Sequence, residues 1–402
     1  MRKNIYLIII LVLLIPFQPF KAYSESKSKK KLFSKYYNSA ITPNHFIKGS
    51  DSDRIEAAIT DALKAGINAI EIPRVDQVRG KTEWLIDRAI QLPSDFTLML
   101  NDCLVRLAPG TKDNIITNTG ARTMPLSKNN NIRIIGIGNA VLSGGLEAHF
   151  DPPGDKSGFR TIGILLYNTK QFTIEGFKME ETQAWAISVE NGCAYGRITN
   201  IDFYNTNKYP NQDGVDVRKG CHDIVIENIT GITGDDIVAL TGLRSNDPVK
   251  NGVRMQIGGN GITESDDIYN ITINNIKAKC VGGHAMVRLL NQDGIKLYNI
   301  FVSNVMDTSI DGEVFPTTKR TRHAAAIRIG EERYWTIRPN VLGETYNIFI
   351  DNVVSRAETI VLINGTLKNS VLRNIVGYGG NSQLVKYGNA PVESVSIDAK
   401  QL

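Results

Sequence analysis

Only four of the 402 residues are cysteine, and Cys103, Cys193, Cys221 and Cys280 stand at spacings that match neither a zinc ligand set nor a redox pair. Net charge is nearly absent as well. Forty-six Lys and Arg face 41 Asp and Glu, for a formal +5. Residues 1–24 contain Arg2, Lys3 and Lys21 and no acid, so without them the balance falls to +2. That argues against nucleic acid as a partner. A second long apolar run is missing too. The one present, residues 4–20 (NIYLIIILVLLIPFQPF), follows a basic start and precedes Ala22-Tyr23-Ser24. It reads as a cleavable secretory signal over 1–24, which predicts a secreted or periplasmic chain without a membrane anchor. Lys27, Lys29, Lys30 and Lys31 fall in a basic tail or linker over 25–50.

Helical periodicity is nearly absent from the remainder. It appears once, over 53–66, where Ile55, Ala58, Ile59, Ala62 and Leu63 share a face and Asp51 or Ser52 precedes as a cap. Short runs of Ile, Val and Phe follow, broken by Gly and Asn. They share a unit: apolar, any, apolar, any, Asn or Gly, apolar, as in Ile224 to Ile229 and Ile348 to Val353. The fifth position is Gly136, Gly176, Asn200, Asn228, Asn275, Asn304, Asn352 and Asn374. Successive positions are 22 to 29 residues apart, or 40 to 48, which reads as one or about two units. A period of that length indicates a solenoid. Asn suits the sharp turns because it tolerates left-handed backbone and can hydrogen-bond from coil to coil. The predicted fold is all-β: one right-handed parallel β-helix over 51–402, capped at its N-terminus by the lone helix. Cys193 and Cys221 share an offset from their repeat Asn and should stack, as a disulfide or as two buried thiols.

Polar residues gather in Asn211-Gln212-Asp213-Gly214-Val215-Asp216, Gly234-Asp235-Asp236, Gly283-His284-Ala285 and Arg328-Ile329-Gly330. Similar offsets from the repeat Asn put Asp235, Asp236 and His284 on one strip. Asp213 joins them if 204–210 bulges out as a loop. Carboxylates on neighbouring coils repel and shift each other's pKa values, and glycosidic hydrolysis uses such a set. One carboxyl donates a proton to the leaving oxygen while another activates water. Asp216 alternates with Val215 and Val217 and should face outward, either toward the site or simply into solvent.

On these motifs the stretch 211–330 resembles glycoside hydrolase family 28, the polygalacturonases, which carry Asn-Thr-Asp, Gly/Gln-Asp-Asp, Gly-His-Gly and Arg-Ile-Lys in this order. Segment 51–110 looks like that family's N-terminal capping coil. The resemblance implies Asp235 as general acid, Asp213 and Asp236 holding and activating water, and inversion of configuration. It implies that His284 helps the acid hold its proton and that Arg328 binds an acidic group of the substrate, with Asn211 and Asp216 nearby. It also implies an acidic polysaccharide as partner, with no cofactor and no metal. Gln212 replaces Thr, Ala285 the second Gly, and Gly330 the Lys, which removes a cation. Arg288, near His284, or the loop 319–323 offers a substitute charge. An insert around 243–267 is expected to rim the cleft and, with the lost cation, to disfavour plain polygalacturonate. A β-helix lyase would need a basic residue and calcium; no such residue stands obviously beside Asp213 and Asp235 in the sequence. A glycan-binding solenoid would not need clustered carboxylates.

Overall fold

The computed structural model describes residues 41–123, 126–145, 161–243, 265–332, 334, 338–380 and 382–402. The signal segment, the basic residues after it and 244–264 of the expected cleft loop lie outside this set.

The apolar alternation becomes a right-handed parallel β-helix. In the longer sheet each strand pairs parallel with its counterpart one coil on, from Ala69–Pro73 to Val392–Gln401. A second sheet of ten strands runs beside it. Because side chains alternate every second residue, each coil adds one apolar side chain to a continuous inner stack. Ile174, Ile198, Ile226, Ile273, Val302, Ile350 and Leu372 stand in register and are buried. Burying each is worth roughly 1.5–3 kcal/mol.

Register revises the repeat length. Ile226 pairs directly with Ile273, and Val302 with Ile350. The intervals of 47 and 48 residues are therefore single coils carrying long loops, not two units. Gly136 and Gly176 likewise sit one coil apart across the interval of 40. A loop leaves the coil without disturbing the ladder, so insertions lengthen the interval at no cost to pairing.

Asn200, Asn228, Asn275, Asn304, Asn352 and Asn374 all adopt left-handed backbone, with φ between 54° and 59°. The side chain of Asn228 donates to Asn200 at 3.0 Å and that of Asn275 to Asn228 at 2.7 Å. A second ladder, which the repeat did not reveal, runs Asp223, Asn270, Asn299 and Asn347 with the same backbone and bonds of 3.0–3.1 Å.

Among the described residues the one α-helix spans Asp51–Lys64 and packs Ile55, Ala58, Ile59 and Ala62 onto the first coil. Leu63, expected on that face, is exposed. The cap is Ser50, one residue before the expected pair, in a reciprocal box with Asp53. Arg54 is buried beneath the helix, its guanidinium bonded to both Asp76 oxygens at 2.7 and 2.8 Å. Ile41 already pairs with Ile70, so ordered structure begins before the expected boundary at 51. Cys193 and Cys221 stack on adjacent coils as free buried thiols, each donating to a backbone carbonyl at 3.4 Å. Among the described residues no helix is long and apolar enough to cross a membrane.

Candidate active site

The second sheet carries the site. Strands Ile187–Glu190, Val215–Arg218, Val238–Gly242, Ala285–Asn291 and Ala325–Ile329 are successive coils. Val189, Val217, Leu240, Leu289 and Ile329 form its inner row and are buried. The outer row is Ser188, Asp216, Ala239, Arg288 and Arg328, in direct register. Just ahead of these strands the turns bring in the aspartates. Gly214 N–H donates to the Asp236 carbonyl, and Asp235 N–H to that of Gln212, which stacks the two Asp-bearing turns.

One oxygen from each of Asp213, Asp235 and Asp236 lies within 4.8 Å of the others. Asp213 and Asp236 are buried, and among the described residues Asp213 Oδ1 has no hydrogen-bond partner. Asp236 Oδ1 accepts from Ala285 N–H at 2.8 Å, and its Oδ2 faces Arg288 Nη1 at 3.4 Å. The Ala that replaces a family Gly thus contributes its backbone, and its small side chain is buried without conflict.

His284 Nδ1 stands 3.4 Å from Asp235 Oδ1, its side chain half exposed. Its N–H donates to Cys280 Sγ at 3.3 Å, a fixing contact that no sequence signal marked. Burial, then the charge of Asp236, raise Asp235 to about 6, against the pull of His284, the Asp236 N–H and Arg288. At 3.4 Å a cationic imidazole would favour the ionised acid, the opposite of the expected help in holding its proton. Asp213 is pushed well up by burial and by Asp235, Asp216 and Asp236. Asp216, on the outer row, is buried rather than solvated, and Oδ2 has no hydrogen-bond partner. Burial raises it well above the usual range; Arg218 opposes and Asp236 adds to the shift.

Arg288 and Arg328 stand side by side, and both reach Glu331 Oε1, at 3.0 and 2.5 Å. Glu331 escaped the sequence reading, because its place three residues after Arg328 gains meaning only when Arg288 stands alongside. Burial works against the Arg288 charge, but Asp236, Tyr334 and Glu331 more than offset it and hold the guanidinium protonated. The basic residue missing in sequence thus does stand beside the aspartates, yet as a fixed cation rather than a base.

Asn211 takes left-handed backbone (φ 58°) in the turn before Asp213, and Gln212 is buried, donating to the Thr182 carbonyl at 2.7 Å. The loop 319–323 passes beside the site, with Arg320 Cδ 2.5 Å from where a Cβ on Gly283 would lie. Arg320 pairs with Glu358 at 2.9 Å and Arg322 donates to the Gly379 carbonyl at 2.9 Å. His323 is fully buried, 3.0 Å from Asp307, and so cannot meet a glycan.

No curated protein matches the chain. Among solved structures it is similar to an exopolygalacturonase from Thermotoga maritima, 15% identical over 92% of this chain and 94% of that one, with a TM-score of 0.60. A polygalacturonase from Erwinia carotovora is 13% identical over 90% and 95%, with a TM-score of 0.55. An endo-xylogalacturonan hydrolase from Aspergillus tubingensis is 14% identical over 90% and 93%, with a TM-score of 0.52. At such identities these likenesses concern the fold. A sequence model of glycosyl hydrolases family 28 matches residues 109–312, a stretch that includes the three aspartates, His284 and Arg288. The chain is a member of glycosyl hydrolases family 28 and hence a glycosidase.

Proposed function

We propose that the protein hydrolyses an acidic, uronate-containing polysaccharide of the pectin type, with Asp235 as general acid and Asp213 and Asp236 holding the attacking water. The single observation that carries this reading is the carboxyl trio within 4.8 Å, in which Asp235 keeps its proton up to about pH 6. Such a carboxyl is protonated often enough near neutrality to donate to a leaving oxygen. Proton transfer from Asp235 goes to the glycosidic oxygen as its bond to the anomeric carbon breaks. Water adds at that carbon and gives up a proton to Asp236, which is held by Ala285 N–H and Arg288, while Asp213 positions the water. Arg288 and Arg328 take the sugar carboxylate, and Asn211 and Asp216 line the approach. The polygalacturonases and the xylogalacturonan hydrolase to which the chain is similar support this substrate class.

Inversion follows from the resemblance, but the compactness of the trio favours a second reading. Inverting pairs generally stand ~6.5–9.5 Å apart and retaining pairs ~5–5.5 Å. A water held between two of the carboxylates, rather than opposite them, reconciles the short spacing with inversion. Proton NMR of the first-formed anomer decides it, and a retained anomer would make one aspartate a nucleophile.

The substrate test is a panel of acidic polysaccharides. New reducing ends without ultraviolet-absorbing unsaturated products support a hydrolase; unsaturated products would establish a lyase instead. Faster cleavage of substituted or esterified glycans than of plain polygalacturonate is expected, since Gly330 removes a family cation. Export belongs to the same proposal: mass spectrometry of secreted material should find a chain starting near Glu25, and an intact Met1 would count against it.

A further inference from the structure

We infer that Glu331 sets the charge of the sugar-binding subsite and thereby how strictly the enzyme demands a free carboxylate. The inference deepens the functional reading above and rests on it. At the position of the family lysine, Gly330 has left-handed backbone (φ 69°), and a Cβ there would lie 2.4 Å from Gly365 Cα. No side chain fits, so the lost cation cannot return at that position.

The second cation comes from the preceding coil. Arg288 stands opposite Arg328 in register, which places two like charges side by side. Glu331 makes this tolerable: its Oε1 accepts from Arg288 Nη2 at 3.0 Å and pairs with Arg328 Nη2 at 2.5 Å. Glu331 is buried, so water does not screen this countercharge. Arg288 is further engaged by Asp236 through Nη1 at 3.4 Å. Two guanidiniums thus face two carboxylates, and the pair offers far less positive charge than two free cations would. The subsite therefore accepts a uronate but does not insist on one, and esterified sugars are tolerated.

The test compares KM for an oligogalacturonate and its methyl ester, using the full secreted chain and its Glu331→Gln variant. Gln keeps the shape and one acceptor while removing the charge. KM for the free acid should fall by about tenfold or more, the scale of one charge-assisted contact. KM for the ester should stay within about twofold, and the gain should shrink as salt is raised. Arg328→Gln should move the acid-to-ester ratio in the opposite direction, which covers a failure of the first variant to fold. An unchanged ratio, or equal shifts for both oligomers, would overturn the role of Glu331 while leaving the functional reading intact. If the wild type cleaved neither oligomer, the functional reading would fall and this inference with it.

Discussion

An acid that must give up its proton near neutrality has to sit where its own charge is unwelcome, and Asp235 meets that condition through burial and the adjacent Asp236. This arrangement carries a stability penalty whose sign is fixed. The folded carboxyl titrates near 6 and the unfolded one near 3.8, so the folded state loses stability as pH rises from about 4 through 6. Asp235→Asn should therefore lower turnover by about 10²–10⁴ while leaving the fold intact. It should also stabilise the protein at pH 7 by up to about 3 kcal/mol, a gain that fades toward pH 4. Denaturant titrations of both proteins at the two pH values measure this; equal differences at both would contradict the assigned environment. His284 gives a second expectation. Its charge depresses the acid, so His284→Asn should move the alkaline limb of kcat/KM upward from about 6. A limb that moves downward would remove His284 from the electrostatics of Asp235. The motif residues themselves were legible in sequence because each differs in kind from the surrounding apolar repeat. Glu331 was not, because an acid beside an arginine is ordinary until register shows a second arginine alongside.

At the scale of the coil, the Asn ladders do two jobs at once, turning the chain and tying each turn to the next. Asn228 holds φ at 56° while donating to Asn200 and accepting from Asn275. Asn228→Ala forces a side chain into left-handed backbone, whereas Asn228→Gly loses only the bonds. Ala should be less stable than Gly by about 1–2 kcal/mol, in contrast to the usual order within regular elements. Urea denaturation of the two variants tests this, and a more stable Ala variant would show that backbone conformation is not what selects Asn. The first ladder was readable because it breaks the apolar alternation at a constant place. The second was missed although Asn270, Asn299 and Asn347 each stand in a Tyr-Asn-Ile tripeptide, a repeat present in the sequence. Coil length was misread because spacing in sequence counts loop and rung residues alike, while hydrogen-bond register counts only rungs.

At the scale of the whole molecule, a solenoid buries its core only if its ends are closed. The helix Asp51–Lys64 covers the first coil, where Ile70, Ile72 and Leu98 would otherwise meet water. Deleting residues through Gly66 should expose that end and drive the protein into aggregates, read as a collapse of the soluble fraction. Undiminished solubility with normal activity would show that the rungs stand without their cap. What the sequence by itself determined is the part of this protein that repeats: the apolar alternation, the turn-forming Asn, the single amphipathic helix and the order of the acidic motifs. These follow from local chemistry, since period-two burial and left-handed turns are imposed residue by residue. What only the tertiary structure decided is the part made by stacking. Which coils are neighbours, how near three carboxyls stand, and that Arg288 stands beside Arg328 all depend on register. Residues up to 49 apart in the chain become neighbours about 5 Å apart across a rung, and electrostatic interaction depends on that distance and on burial rather than on sequence separation.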